Sequence, residues 1–220
     1  MKKILLSILS LLSMGVSSFA QEANAGDFNF GIVFGGGLSS IRTEDVPLVE
    51  RKPIANLQAG FVFDYTFVDG FFAELGLTFQ RKGDKTESEA LGFKTTTTMN
   101  MLYLETPLTL NYRIPVGDMG LIPQVGGYFS YGVGGKTKVK NEASNELLSS
   151  LAGMADGESD TFNDAMEKVD YGLRFGLGLA FNEALKFMVG YDLGLANVTA
   201  SDRVEYKTGS LFGTLTYYFK

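Results

Sequence analysis

The stretch VDYGLRFGLGLAFNEALKFMVGYDLGLA, Val169 to Ala196, decides how the rest of the chain is read. From Val169 every second residue is apolar and mostly large: Val169, Tyr171, Leu173, Phe175, Leu177, Leu179 and Phe181. Between them stand Asp170, Gly172, Arg174, Gly176, Gly178 and Ala180, so one face is greasy and the other small or charged, the period of a strand. After Asn182, Glu183 and Ala184 the alternation resumes with Leu185, Phe187, Val189, Tyr191, Leu193 and Leu195. The unit is a hairpin. Pairing Phe181 with Leu185 sets Leu177 against Val189, Phe175 against Tyr191 and Arg174 against Asp192 on the opposite face.

Which face points inward separates a soluble barrel from a membrane barrel. A soluble barrel would fill its interior with the large apolar face and cover its exterior with long polar side chains. Here the second face is mostly glycine, a poor soluble surface. Small residues and a few paired charges suit the inside of a narrow barrel whose aromatic and aliphatic side chains face lipid. The hairpin is therefore expected to cross a membrane.

The N-terminus supports export. Met1-Lys2-Lys3 precedes the apolar run Ile4–Val16 and then Ser18-Phe19-Ala20, the pattern of a cleavable secretory signal ending at residue 20, which leaves residues 21–220 as a single barrel domain. No later run approaches the roughly 20 apolar residues of a spanning helix, so insertion must be by strands. Losing Lys2 and Lys3 takes the formal charge from −6 to −8, which argues against a nucleic-acid partner. The absence of Cys excludes disulfides, thiolate zinc sites and an N-terminal lipid-bearing cysteine.

In order, strands are expected at about 28–41, 57–67, 71–80, 99–113, 121–134 and 169–181, then from 185 and through 211–219. Loops are expected at 42–56, 81–97 (with Thr95–Thr98 available to extend the next strand), 135–168 and 197–205. Val68-Asp69-Gly70, Ile114–Gly120 and Asn182–Ala184 make the short connections. Pro107, on the inner face of its strand, predicts a bulge or a missing ladder bond. Tight turns at one end and longer loops at the other describe an eight-stranded antiparallel up-and-down transmembrane β-barrel of a Gram-negative outer membrane, with the turns and both termini periplasmic. The terminal Tyr217-Tyr218-Phe219 resembles the aromatic strand read by the outer-membrane assembly machinery, although Lys220 follows it.

GLSSI (37–41), GFVFDYTFVDGFFAELGLTFQRKG (60–83), YLETPLTLNYRI (103–114) and PQVGGYFSYG (123–132) resemble successive blocks of the PorT-like outer-membrane β-barrel family. Tyr103–Leu108 and Gln80–Gly83 are the distinctive blocks. The resemblance implies an outer-membrane eight-stranded barrel. The family's namesake is linked to protein secretion, but no motif here carries that function across.

The chain has no His, which removes Ser-His and His-metal machinery, and no cofactor or catalytic residue is assigned. Interior charges form the candidate site. Pairing Phe67 with Phe71 sets Asp64 opposite Glu74, two like charges that Arg113, or Lys186 as a second candidate, would neutralise. Glu105, Arg174 and Asp192 form a higher layer. These groups are expected to fill the lumen and bond one another, and the functional alternative is a narrow gated ion path. DGESDTFNDAME, 156–167, matches a calcium loop at its acidic positions but has Thr161 where the turn glycine belongs and Asn163 at an apolar position. A solvated acidic loop is the expectation.

The leading function is thus a non-enzymatic outer-membrane barrel embedded in outer-membrane lipid. Its exposed loops, above all 135–168, contact an unidentified extracellular ligand or protein, or the barrel supports the membrane itself. The alternatives are a small pore or secretion-associated component, and a soluble lipocalin-like carrier.

Overall fold

Strands dominate because large outward side chains alternate with small or polar inward ones along nearly every segment. The computed structural model describes residues 25–43, 49–90, 93–143, 156–162, 166–200 and 204–219. The expected leader, residues 144–155 of the expected 135–168 loop, and Asn163 of the acidic motif lie outside them. The strands are β1 (Phe28–Arg42), β2 (Val49–Val68), β3 (Phe71–Ala90), β4 (Phe93–Tyr112), β5 (Ile114–Val116), β6 (Met119–Ala143), β7 (Gly157–Asp160), β8 (Val169–Ala180), β9 (Leu185–Gly194) and β10 (Lys207–Phe219). Each long strand pairs antiparallel with its chain neighbour, β1 pairs β10, and β4 pairs β6 across the β5 turn. The ring therefore closes on eight principal strands, leaving no spanning edge with unpaired backbone groups in hydrocarbon.

The β8–β9 ladder joins Phe175 to Tyr191, Leu177 to Val189 and Arg174 to Asp192. Asn182 sets that turn, its side-chain oxygen accepting from the backbone N–H groups of Ala184 and Leu185, both at 2.8 Å. Phe63, Phe175 and Tyr191 lie on the outer surface with most other large apolar residues. A carrier barrel would show the reverse arrangement.

Three expectations change. Residues 81–90 belong to β3 and 93–97 to β4, paired with each other, β2 begins at Val49, and β6 runs on to Ala143 with β7 beside it. Polar alternation in these segments reads like loop chemistry, but cross-strand pairing extends the sheet through it. Second, Val68 pairs with Phe71 across Asp69-Gly70, and Phe67 is the extra residue of a bulge. Gly70, at φ 78°, supplies the left-handed residue of this tighter turn. The bulge absorbs one residue, so Asp64 still faces Glu74. Third, Ile114–Gly120 is not bare loop, since β5 makes a small ladder with the start of β6.

At Pro107 the β3–β4 ladder passes from Leu75–Leu108 to Thr78–Glu105 in unchanged register, a gap without a bulge. The missing N–H removes pairing locally while the other side of β4 still pairs Pro107 with Tyr128.

Strand lengths make the barrel lopsided. β8 and β9, with 12 and 10 residues, suit the about 9–11 tilted residues that span a bilayer. β2, β3 and β4 have 20 residues each and β6 has 25, an excess that carries one wall roughly 30 Å farther along the strands.

Candidate functional site

The lumen holds two layers of charge. In the upper one Arg174, on β8, forks onto Asp192 of β9 through Nε and Nη2, both at 2.6 Å, and Nη2 also donates to Glu105 of β4 at 2.7 Å. Glu105 is shared with Lys82 of β3 at 2.8 Å and accepts from Ser130 of β6 at 2.8 Å. With its amide oriented to donate, Gln80 adds contacts of 2.6 and 2.7 Å to the same carboxylate. Lys82 also meets Asp170 at 3.0 Å, and Thr208 donates to Asp170 at 2.9 Å. Every acceptor direction of Glu105 is used, which is what a fully buried carboxylate requires.

Aromatic faces complete the coordination of the cations. Lys82 Nζ lies 3.9 Å from the centroid of Tyr128, and the Arg174 guanidinium lies 4.7 Å from that of Phe212. Glycines on facing strands make room for these rings. A Cβ at Gly190 would strike Phe212, and one at Gly172 would strike both Tyr128 and the Leu193 backbone. The glycine-rich face of the hairpin is therefore a socket for large groups from elsewhere in the ring.

In the lower layer Lys186 of β9 bonds Glu74 of β3 and stands 4.0 Å from Asp64 of β2. Tyr218 and Gln124 donate to Glu74 at 3.3 and 3.4 Å. The cation that answers the Asp64–Glu74 opposition is Lys186. Arg113 forms no ion pair among the described residues, because it lies beyond the end of β4 and runs its side chain alongside Gly120. Between the layers lies a cavity of about 20 Å³ bordered by Gln58, Glu74, Gln124, Arg174 and Lys186, among others. It has room for about one water.

Above the upper layer sits an apolar cap. Ile41, Met101, Tyr103, Met166 and Val198 are buried together, with Phe162 and Tyr206 packed against them. Phe162 meets Tyr103 edge-on at 5.4 Å and lies where a side chain on Gly132 would go. Thr161 fastens the same segment, donating to the carbonyls of Asn100 and Gly135 at 2.9 and 3.1 Å.

Lys82 and Asp170 belong to this site although the sequence reading left them out. Their signal was parity. Asp170 shares the face of Arg174, and Lys82 continues the inward series Glu74, Thr78, Gln80 once β3 is allowed past Gln80. The paired aromatics Phe71-Phe72 and Tyr217-Tyr218 carried a similar message, since one of each must turn inward. The two distinctive motifs also meet here, Gln80 and Lys82 of one binding Glu105 of the other.

The acidic motif takes another form. Gly157–Asp160 is strand β7, and Glu158 pairs with Lys136 and, at 2.9 Å, with Lys138. In an extended backbone Glu158 and Asp160 share one face but stand about 7 Å apart in a row, so they do not close around a common centre. Farther along the tall wall, hydrogen bonds from Lys85, Lys52 and Lys94 pull the Glu87 carboxyl down to about 2.

Several solved barrels are similar to the chain. The outer membrane protein OprG of Pseudomonas aeruginosa matches at 16% identity and a TM-score of 0.49, over 91% of this chain and 99% of that one. Neisserial surface protein A matches at 11% identity and 0.44, over 86% and 97%, and the Escherichia coli outer membrane protein W at 17% and 0.37, over 90% and 100%. No curated protein matches the chain. Residues 19–200 match the family described as "Outer membrane protein beta-barrel domain". With a closed ring of strands, an apolar exterior and that match over most of its length, the chain belongs to the outer membrane protein β-barrel domain family.

Proposed function

We propose that this protein is a sealed, non-enzymatic outer-membrane scaffold that holds its tall wall and loops outside the cell for contact with an extracellular ligand or protein. One observation carries the reading: among the described residues, two layers of ion-paired side chains and an apolar cap cross the lumen, and the cavity between the charge layers has the space of about one water. A conducting path would need continuous polar space. A carrier would need an empty apolar pocket, whereas among the described residues the lumen is crossed by buried ion pairs. The PorT-like resemblance of the Gln80–Gly83 and Tyr103–Leu108 blocks is read within this proposal as lumen architecture, because those blocks supply the Lys82–Glu105 bridge.

Planar-bilayer recording on refolded protein tests the proposal. The expected trace is flat, and stable unitary steps would overturn it. Orientation follows from the same reading, with short turns and both termini periplasmic. Protease added to intact cells should cut within 135–168 and leave an assembled barrel. Cutting that requires permeabilised cells would reverse the topology.

A further inference from the structure

The outward side of the tall wall continues the lipid-facing surface, and its charges are sorted into bands. On β4 the outward series runs Leu104 and Leu102 and then Asn100, Thr98, Thr96 and Lys94, so the apolar belt ends at Leu102. Ladder partners of these residues share their face. Arg81 aligns with Leu102, Lys136 and Asp160 with Asn100, and Lys52, Lys85, Lys138 and Glu158 with Thr98. These first rows carry five cations against two acids. The next two rows reverse the sign, with Glu50, Glu87 and Lys140 aligned with Thr96, and Glu89 and Glu142 with Lys94.

Sheet stability alone would place opposite charges across from one another. Instead Lys52 stands directly opposite Lys85, and Glu50 directly opposite Glu87, arrangements that repel. Glu87 relieves part of this, meeting Lys85 at 2.7 Å, Lys52 at 2.9 Å and Lys94 at 3.2 Å, but it is one carboxylate among three ammoniums. Glu158 likewise serves both Lys136 and Lys138. The lysines remain open to their surroundings, with side-chain exposures from 39% for Lys85 to 60% for Lys136. In the Thr98 row, Lys85 and Lys138 flank the Thr98 hydroxyl from strands about 10 Å apart, enough for a tetrahedral anion to be held between two ammoniums with a hydroxyl beneath it.

We propose that this basic band, centred on Lys85, Thr98 and Lys138 with Lys52, Lys136 and Arg81 beside it, binds the phosphate groups of glycolipid headgroups in the outer leaflet. Its height decides the ligand. Phosphates at a membrane surface lie just beyond the acyl chains, and the band lies just beyond the apolar belt in a chain whose net charge is −6. The acidic rows farther out face the solution. The site goes beyond the scaffold reading, since a barrel that conducted would still present it.

The test uses full-length protein refolded in neutral detergent and titrated with diphosphoryl lipid A, dephosphorylated lipid A or inorganic phosphate, with bound lipid counted by native mass spectrometry. Diphosphoryl lipid A should bind, the dephosphorylated form should bind far more weakly, and inorganic phosphate should compete only at high concentration. Lys85→Gln combined with Lys138→Gln should weaken binding about 25-fold, at roughly fivefold per lysine. Thr98→Glu, which sets a carboxylate between them, should weaken it as well. Lys207→Gln, on the short wall, should bind as wild type. Heat-modifiable gel migration verifies that each variant is folded. Equal binding of phosphorylated and dephosphorylated lipid A, or undiminished binding by the folded double variant, would overturn the proposal.

Discussion

Glu105 and Glu87 are both glutamates shared among several cations, and they behave in opposite ways. Glu105 is wholly buried and is held by Lys82, Arg174 and Ser130 in one fixed geometry. Glu87 sits on the outside of the wall with Lys52, Lys85 and Lys94, whose side chains are 39–44% exposed. In the lumen nothing can replace a lost partner, so each charge depends on every other. On the wall, water and ions substitute for any one partner, so pairing adds little stability and leaves the lysines available to a ligand. The same residue chemistry makes a plug in one place and a docking surface in the other.

The largest effect should come from breaking the buried set. Arg174→Met leaves Asp192 and Glu105 with one fewer cation in the lumen and is expected to cost about 3–5 kcal/mol, measured by urea unfolding of refolded protein in vesicles. Adding Asp192→Leu should recover part of that loss, since Glu105 keeps Lys82. Strictly additive losses in this double-mutant cycle would contradict the coupling drawn here. Next in size is the outer surface of the same strand, where Phe175→Arg should cost about 2–4 kcal/mol near the bilayer middle. A variant as stable as wild type would reverse the assignment of faces.

Gly132→Ala probes the join between plug and wall. The added methyl displaces Phe162 from Tyr103, so the 156–162 segment should be cut faster by protease on intact cells, while global stability changes by about 1 kcal/mol or less. An unchanged cutting rate would mean that Phe162 does not hold that segment down.

The smallest stability effect belongs to Glu87→Gln, for which no shift of the unfolding midpoint is expected. The change should instead strengthen lipid A binding by freeing three lysines. Acid acts on the same clamp. The folded-state pKa of Glu87 lies below its ordinary value of 4.5, at about 2, so the clamp's contribution is complete above about 4.5 and is lost as pH falls from there through about 2. Hydrogen exchange at the ends of β3 and β4 should therefore be steady from neutral pH to about 5 and rise, after correction for intrinsic rates, in stronger acid. A rise that begins near neutrality would assign the clamp to other groups.

Much of the fold was readable because alternation is a local property. Seven outward residues from Val169 to Phe181, three turn residues and an antiphase return specify a hairpin without reference to anything else. The strand ends were harder to read. In 81–90, 93–97 and 135–143 polar residues occupy both faces of the sheet, so no apolar alternation marks the strands, and the backbone pairing that extends them leaves little trace in side-chain type. Ending β3 at Gln80 for that reason hid Lys82, and with it the partner that joins Glu105 to Asp170.

By itself, the sequence determined what lies within one hairpin. Arg174 and Asp192 are equally distant from the middle of the turn set by Asn182, so their pairing follows from counting residues, and the glycine-rich side faces inward because it suits neither water nor lipid. Only the tertiary structure decided what crosses the lumen. Lys82 and Asp170 are 88 residues apart in the chain, and Lys186 and Glu74 are 112 apart. Whether such groups share a level depends on the stagger accumulated around the closed ring, which bulges at Phe67 and near Leu102 adjust by single residues. A one-residue error in that sum turns a side chain from the lumen to the lipid, so cross-barrel partners are fixed by closure, a constraint that belongs to the whole ring and to no single segment of it.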